Sequence, residues 1–275
     1  MRKIQVNRVI KMIYTGGTDK GVVRNHNEDS MYIDEEKGRF FIVADGMGGH
    51  QGGEVASSMV VEAVRENLEK KLDNHTVIDD PEKKEGWYRM LIEGALNAAN
   101  MRVYMTAKED DSKMGMGSTA TLAVIDAGTF YIGQIGDSRA YLIDKKEIRQ
   151  ITKDQSFLQK LVDDGVMTIA EARTDRRRNI IQQAVGTREE ISVDFYTEEF
   201  PGDSILMLCS DGLTDLVDED AIKDMIRGSL KDLRKACSIL IDEANKNGGK
   251  DNITVILVHN KKEGFLRRIF SRGWK

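Results

Sequence analysis

At 275 residues, 40% of them hydrophobic and 32% charged, the chain is long and apolar enough to bury a core of its own. With 41 Lys and Arg against 46 Asp and Glu, a formal charge of -5, it has no basic field to draw nucleic acid, which is not an expected partner. Cys209 in an apolar run and Cys237 on a helical stripe make neither a disulfide framework nor a thiolate zinc site, and no apolar run nears the roughly 20 residues of a membrane span. The basic start MRKIQVNRVIK leads into no signal-type apolar stretch, so the expected location is the reducing cytoplasm.

In chain order, residues 1–12 form an N-terminal extension. Residues 40–44, FFIVA, are short and apolar, end at Asp45-Gly46, and predict a buried strand delivering a loop. Val55, Met59, Val60, Ala63, Val64, Leu68 and Leu72 recur at helical spacing over residues 54–72, and a second helical pattern covers residues 85–108, with Pro81 separating the two. TATLAVIDAGTFYIGQIGDSRAYLI follows, its strand-like segments divided at Ala127-Gly128 and Gly136-Asp137 as in antiparallel hairpins. Residues 152–187 are polar and helix-leaning, carry the charge run RTDRRRN, and predict a flap between two strand regions.

Strands are then predicted at residues 192–196, 204–209 and 252–259, with a helix carrying Leu233, Ala236, Cys237, Leu240 and Ala244 on one face. The tail, residues 260–275, places Phe265, Leu266, Ile269 and Phe270 among Lys261, Lys262, Arg267, Arg268 and Arg272. This is the pattern of a basic amphipathic helix; contact with an anionic membrane through it is the lesser expectation beside a tail with no docking role. Hairpin strands with grouped helices predict an α+β class in which helices cover antiparallel sheets.

Three aspartates stand at strand ends: Asp45 in VADG, Asp211 in CSDG and Asp251 in KDNIT. Any one of them reads as a turn residue, since Asp accepts local backbone hydrogen bonds and Gly supplies positive φ. Were they to converge, their mutual repulsion would demand a cation, and all-oxygen ligands select a hard one. With four histidines and two cysteines leaving little for zinc, Mg²⁺ or Mn²⁺ is the expected ion.

NHNEDS, VADGMGGHQGGEVA, GMGSTATLAV, GDSRAYL, LCSDGLTD and KDNITVILV, in that order across residues 13–259, resemble the metal-dependent type 2C protein phosphatases, the bacterial branch above all. The resemblance implies two packed antiparallel β-sheets flanked by helices, an αββα sandwich, with residues 13–259 as the phosphatase domain. It implies hydrolysis of phosphoserine and phosphothreonine in proteins by a water held between two Mn²⁺ or Mg²⁺ ions, with a third, weaker ion in bacterial members. The substrates implied are phosphoproteins, including the Ser/Thr kinase that the enzyme opposes.

Carried over by motif, Asp45 bridges two ions, the Gly46 carbonyl binds one, and Asp211 and Asp251 complete a shell that Asn252 orients. Glu28 and Asp29 hold metal-bound waters, Asp137 shares the third ion with Asp211, and Arg24 grips the substrate phosphate with its planar fork. Thr119, Ser138 and Arg139 match family motifs too, but fit a structural role equally well and are left outside the catalytic set. Met47 departs from many eukaryotic members, which have there a histidine proposed as proton donor; a metal-bound water or His50 is left for that task. His26, His75 and His259 lack ligand-like spacing and read as surface or packing residues. Arg176, Arg177 and Arg178 in the flap offer a basic surface to acidic phosphopeptides, against a plainly solvated charge run. Two rival readings remain: an inert phosphoprotein-binding module of the same fold, which would have lost a metal aspartate, and a hydrolase of small phosphoesters or nucleotides.

Overall fold

The computed structural model describes residues 11–48, 52–74 and 77–262 of the chain. The strands are β1 (Lys11–Asp19), β2 (Asp29–Ile33), β3 (Phe40–Met47), β4 (Gly117–Ser118), β5 (Ala120–Asp126), β6 (Thr129–Ile135), β7 (Arg139–Ile143), β8 (Ile148–Gln150), β9 (Asp194–Glu199), β10 (Ile205–Cys209) and β11 (Ile253–Lys261). They form two antiparallel sheets, one in the order β1-β11-β10-β7-β8 and the other β2-β3-β5-β6-β9, with β4 beside β3. The helices are α1 (Gly52–Asp73), α2 (Pro81–Glu109), α3 (Phe157–Asp163), α4 (Ile169–Thr174), α5 (Asp211–Thr214), α6 (Glu219–Gly228) and α7 (Leu233–Lys246).

The strands read as unbroken apolar runs because both of their faces are covered. Along β3, Phe40, Ile42 and Ala44 face α1 and α2, while Phe41 and Val43 face the other sheet. Along β10, Ile205, Met207 and Cys209 face α6 and α7, while Leu206 and Leu208 turn inward. The period-2 geometry of a strand thus feeds three stacked apolar layers, each buried side chain of this size contributing roughly 1.5–3 kcal/mol. The result is the αββα sandwich expected from the resemblance.

Local chemistry explains the element ends. Pro81 opens α2 rather than merely separating two helices: Asp80 caps it, accepting from the Glu82 and Lys83 amides, and proline at the first turn loses no hydrogen bond. Ala127 and Gly128, with φ of 47° and 84°, form the two-residue turn between β5 and β6. The second expected hairpin, at Gly136-Asp137, is not one. β6 and β7 lie in different sheets, and residues 136–138 cross from one to the other. The strand expected at residues 192–196 runs instead over Asp194–Glu199.

Between β8 and β9 the chain makes α3 and α4, the latter opened by a reciprocal cap between Thr168 and Glu171, then returns through a bridge from Val185 to Ser118. Both cysteines are buried and free. No helix among the described residues is long and apolar enough to cross a membrane. β1 begins at Lys11, within the expected extension, and β11 runs to Lys261; the rest of the extension, the amphipathic part of the tail, His50 and His75 lie outside the described residues.

Candidate metal centre

Antiparallel pairing gathers the acidic motifs at one end of both sheets. Asp29 and Asp45 are direct partners across β2 and β3. In the other sheet Asp211 follows β10, Asp251 precedes β11, and Asp137 lies just before β7; Cys209 pairs with both Val255 and Arg139, so these three positions share that sheet's end. Asp29 and Asp137 are buried, while Asp45, Asp211 and Asp251 are half-buried.

The backbone around Asp45 is tightly tied. Its amide donates to the Thr119 hydroxyl at 2.9 Å, and its carbonyl accepts from the Thr119 amide at 2.8 Å and the Ser118 hydroxyl at 3.0 Å. The Gly46 amide donates to the Glu28 carbonyl at 3.0 Å. A Cβ on Gly46 would stand 2.1 Å from the Gly53 carbonyl oxygen and 2.5 Å from that of Glu28, so only glycine fits there.

Among the described residues Asp29, Asp45, Asp137 and Asp211 form no ion pair, whereas Asp251 is paired with Arg24. Asp211 and Asp29 each keep a buried Oδ1 with no hydrogen-bond partner. Burial, then repulsion from Asp29, Asp211, Asp137 and Asp251, holds the Asp45 carboxyl well above the usual carboxylate range. Burial, then Asp137, Asp215, Asp251 and Asp29, does the same to Asp211. Burial pushes Asp29 up to about 6, against the stabilising hydrogen bonds of Thr254 and Ser210, and pushes Asp137 up to about 7 with help from Asp154 and against Arg139. Among the described residues no three His, Cys, Asp or Glu side chains close into a cage of their own. An open, all-oxygen set with orphaned carboxylate oxygens and a carbonyl cradle fits Mg²⁺ or Mn²⁺, whose shells keep several waters.

At the mouth stands Arg24. Its Nη2 donates to Asp251 Oδ2 at 2.7 Å, its Nη1 is 3.9 Å from Glu28 Oε2, and 46% of its side-chain surface remains exposed. The loop that presents it is held by Asn252, whose Oδ1 accepts from the Glu28 amide at 2.8 Å and whose Nδ2 donates to the Lys20 and His26 carbonyls, each at 2.9 Å.

Residues 17–242 match the family description Protein phosphatase 2C. The chain belongs to that family. It is 35% identical over 243 residues to the serine/threonine phosphatase stp of Listeria welshimeri, covering 88% of this chain and 93% of the relative. A solved S. agalactiae serine/threonine phosphatase superposes with a TM-score of 0.81 at 29% identity, over 91% of this chain and 100% of the other. The catalytic domain of the phosphatase PstP, solved in complex with two manganese ions, gives 0.77 at 31% identity, over 91% and 99%.

In this phosphatase 2C several residues that sequence reasoning set aside, or missed, support the acidic cluster. Thr119 and Ser138 tie the site's backbone together: their hydroxyls stand 2.7 Å apart, and Thr119 anchors Asp45. Ser210, unremarked in the sequence, donates to Asp29 Oδ2 at 2.7 Å and accepts from the Thr254 amide at 3.0 Å. Its one legible signal is that it directly precedes Asp211. Arg139 is clamped by Asp154, Nε to Oδ1 at 2.8 Å and Nη2 to Oδ2 at 2.6 Å.

Two of the three flap arginines are engaged within the molecule. Arg177 pairs with Asp175 at 2.7 Å, and Arg178 Nε stands 3.1 Å from Asp215 Oδ2, one turn beyond Asp211. That leaves less of a basic surface for acidic peptides than the charge run suggested. His26 gives its carbonyl to the Asn252 amide, and His259 is buried in β11, where burial pushes its imidazole below the usual range.

The raised carboxyls set a pH dependence of the metal-free protein. Asp29, Asp45, Asp137 and Asp211 bind protons more tightly folded than unfolded, so their contribution to stability falls as pH rises from about 4 through 7, by about 1.4 kcal/mol per pK unit. Thermal unfolding in EDTA is expected to show Asp45→Asn gaining several degrees on the wild type between pH 5 and pH 8, and saturating Mn²⁺ is expected to stabilise only the wild type strongly. An Asp45→Asn advantage that shrinks with rising pH would contradict the repulsion.

Proposed function

We propose that this phosphatase 2C hydrolyses phosphoserine and phosphothreonine in proteins at a centre of two Mn²⁺ or Mg²⁺ ions, with a third, weaker ion. The observation that carries this reading is the exposed Arg24 fork set directly beside a cluster of uncompensated carboxylates. An anion-binding guanidinium next to a cation-binding pocket is what a phosphate monoester requires. Asp45, the Gly46 carbonyl, Asp211 and Asp251 are assigned to the two principal ions. Asp137 with Asp211 is assigned to the third, and Glu28 and Asp29 to waters around them. The ions, when bound, supply an activated water and neutralise charge on the phosphoryl oxygens.

The chain's own residues do the rest. Arg24 gives up its bond to Asp251 to take two phosphate oxygens, and Asn252 keeps the Glu28 loop from shifting as it does. Met47, half-buried at the end of β3, has no proton to give the leaving alkoxide, so that step is left to water in the site or to His50. The open position of Arg24 suits a phosphorylated side chain presented by a protein, and the kinase that made it counts among the substrates. The flap between β8 and β9 is assigned to substrate choice, and the cytoplasm is the proposed location.

A catalytically inert module is disfavoured because Arg24, Asp45, Gly46, Asp211 and Asp251 are all present. Phosphate release from phosphothreonine and phosphoserine peptides is the test, with p-nitrophenyl phosphate and ATP as comparison substrates. Mn²⁺-dependent turnover with kcat/KM at least tenfold higher for the peptides than for ATP is expected. A preference for ATP would make it a nucleotide hydrolase, and no turnover of any substrate would make it an inert module.

A further inference from the structure

The layer between the two sheets is apolar, lined by side chains such as Phe41, Val43, Ala123, Ile132, Leu206 and Leu208. Among the polar side chains that interrupt it, two form a pair. Gln134 on β6 and Thr121 on β5 are direct cross-strand partners, both with 0% exposure. A buried primary amide is costly unless every donor and acceptor is met, so its presence calls for a reason.

The side-chain bonds of Gln134 lead to the crossover at residues 136–138, directly or through Thr121. Its Nε2 donates to the Gly136 carbonyl at 3.0 Å and the Ser138 carbonyl at 2.5 Å, the two carbonyls that bracket Asp137. Its Oε1 accepts from the Thr121 hydroxyl at 2.7 Å, and that hydroxyl also lies 2.9 Å from the Ser138 carbonyl. The crossover needs such a hold because it belongs to neither sheet, and Gly136 takes a φ of +92° there. From Ser138 the connection continues: its hydroxyl meets that of Thr119, which accepts the Asp45 amide at 2.9 Å. One buried amide therefore stands under both Asp137 and, through two hydroxyls, the backbone of Asp45.

We infer that Gln134 is a positioning residue of the metal centre, with Thr121 as the group that orients its amide. The inference rests on the proposed reading of Asp45 and Asp137 as cation ligands. A leucine at 134 would preserve the bulk of the side chain while removing the amide from both carbonyls, leaving that of Gly136 to the Gln155 amide and that of Ser138 to the Thr121 hydroxyl, and the crossover would loosen. Groups that orient a metal ligand typically shift affinity or activity by about 10–100-fold when removed.

The test is calorimetric titration of Mn²⁺ into metal-depleted protein, for the wild type, Gln134→Leu, Thr121→Val and Thr121→Ser, with a melting temperature for each. The expected result is a Mn²⁺ dissociation constant raised about tenfold or more in Gln134→Leu, raised less in Thr121→Val, and restored in Thr121→Ser, which keeps the hydroxyl. Turnover should fall in the same order at subsaturating Mn²⁺ and recover in excess. Lower melting temperatures with unchanged Mn²⁺ constants would reduce Gln134 to a structural role and overturn the inference alone. A wild type that binds no Mn²⁺ would overturn the reading of the site, and this inference with it. Should Gln134→Leu not fold, the Thr121→Val and Thr121→Ser pair decides on the same constant.

Discussion

Asp211→Asn is expected to lose at least about 10³-fold in phosphatase activity at subsaturating Mn²⁺ while remaining folded. The size follows from what the side chain does. Groups that merely orient a metal ligand cost about 10–100-fold when removed, and Asp211, in its proposed place as a ligand, must cost more. Asparagine keeps the shape and one oxygen but removes the charge, and in the fold that charge is opposed only by further carboxylates. The same observation predicts the sign of the stability change: relieved of repulsion, metal-free Asp211→Asn should melt no lower than the wild type near neutral pH. Full activity in this variant at limiting Mn²⁺ would remove Asp211 from the centre.

Arg24→Ala is expected to act on substrate rather than metal. A hydrogen bond to a charged group contributes about 1.5–3 kcal/mol, so losing a two-pronged grip on phosphate should lower kcat/KM by about 10²–10³-fold. Because Arg24 also occupies Asp251 at 2.7 Å, its removal frees a carboxylate, and Mn²⁺ should bind at least as tightly as before. Arg24→Lys, a point charge without the fork, should recover only part of the loss. Inorganic phosphate inhibition supplies the independent readout: its inhibition constant should rise in parallel with KM. A weakened Mn²⁺ constant with unaltered phosphate inhibition would make Arg24 part of the metal site instead.

These assignments show where sequence reading works and where it stops. FFIVA was legible as a buried strand because both faces of β3 are covered, leaving no polar alternation to confuse the pattern. β1, by contrast, carries Gly16 and Gly17 in its middle, which weaken any strand signal although β11 pairs along its whole length. The Gly136-Asp137 turn was misread as a hairpin because turn chemistry is local, whereas the choice of β10 rather than β6 as the partner of β7 is made by distant apolar surfaces.

The site divides in the same way. Asp45, Asp211 and Asp251 each look like an ordinary turn residue, and only the order of the surrounding motifs, through the family resemblance, made them a cluster. The fold then supplies what no local pattern holds: Asp29 facing Asp45 across two strands, and Arg24 reaching Asp251 over 227 positions of chain. Ser210, Thr254, Thr121 and Gln134 were illegible because a small polar residue in a buried strand appears only as a break in an apolar run. Its meaning lies in the partner it finds. Arg178 meeting Asp215 is of the same kind, a charge that reads as solvated until the chain folds back on itself.

Equilibrium dialysis of metal-depleted protein against Mn²⁺, with phosphopeptide turnover followed on the same samples, tests the central claim most directly. Wild type should bind at least two ions per chain and gain activity as they load, while Asp45→Asn should fail to fill the pair and stay inactive. Equal Mn²⁺ binding by Asp45→Asn and wild type, or full turnover by the wild type in EDTA, would contradict it.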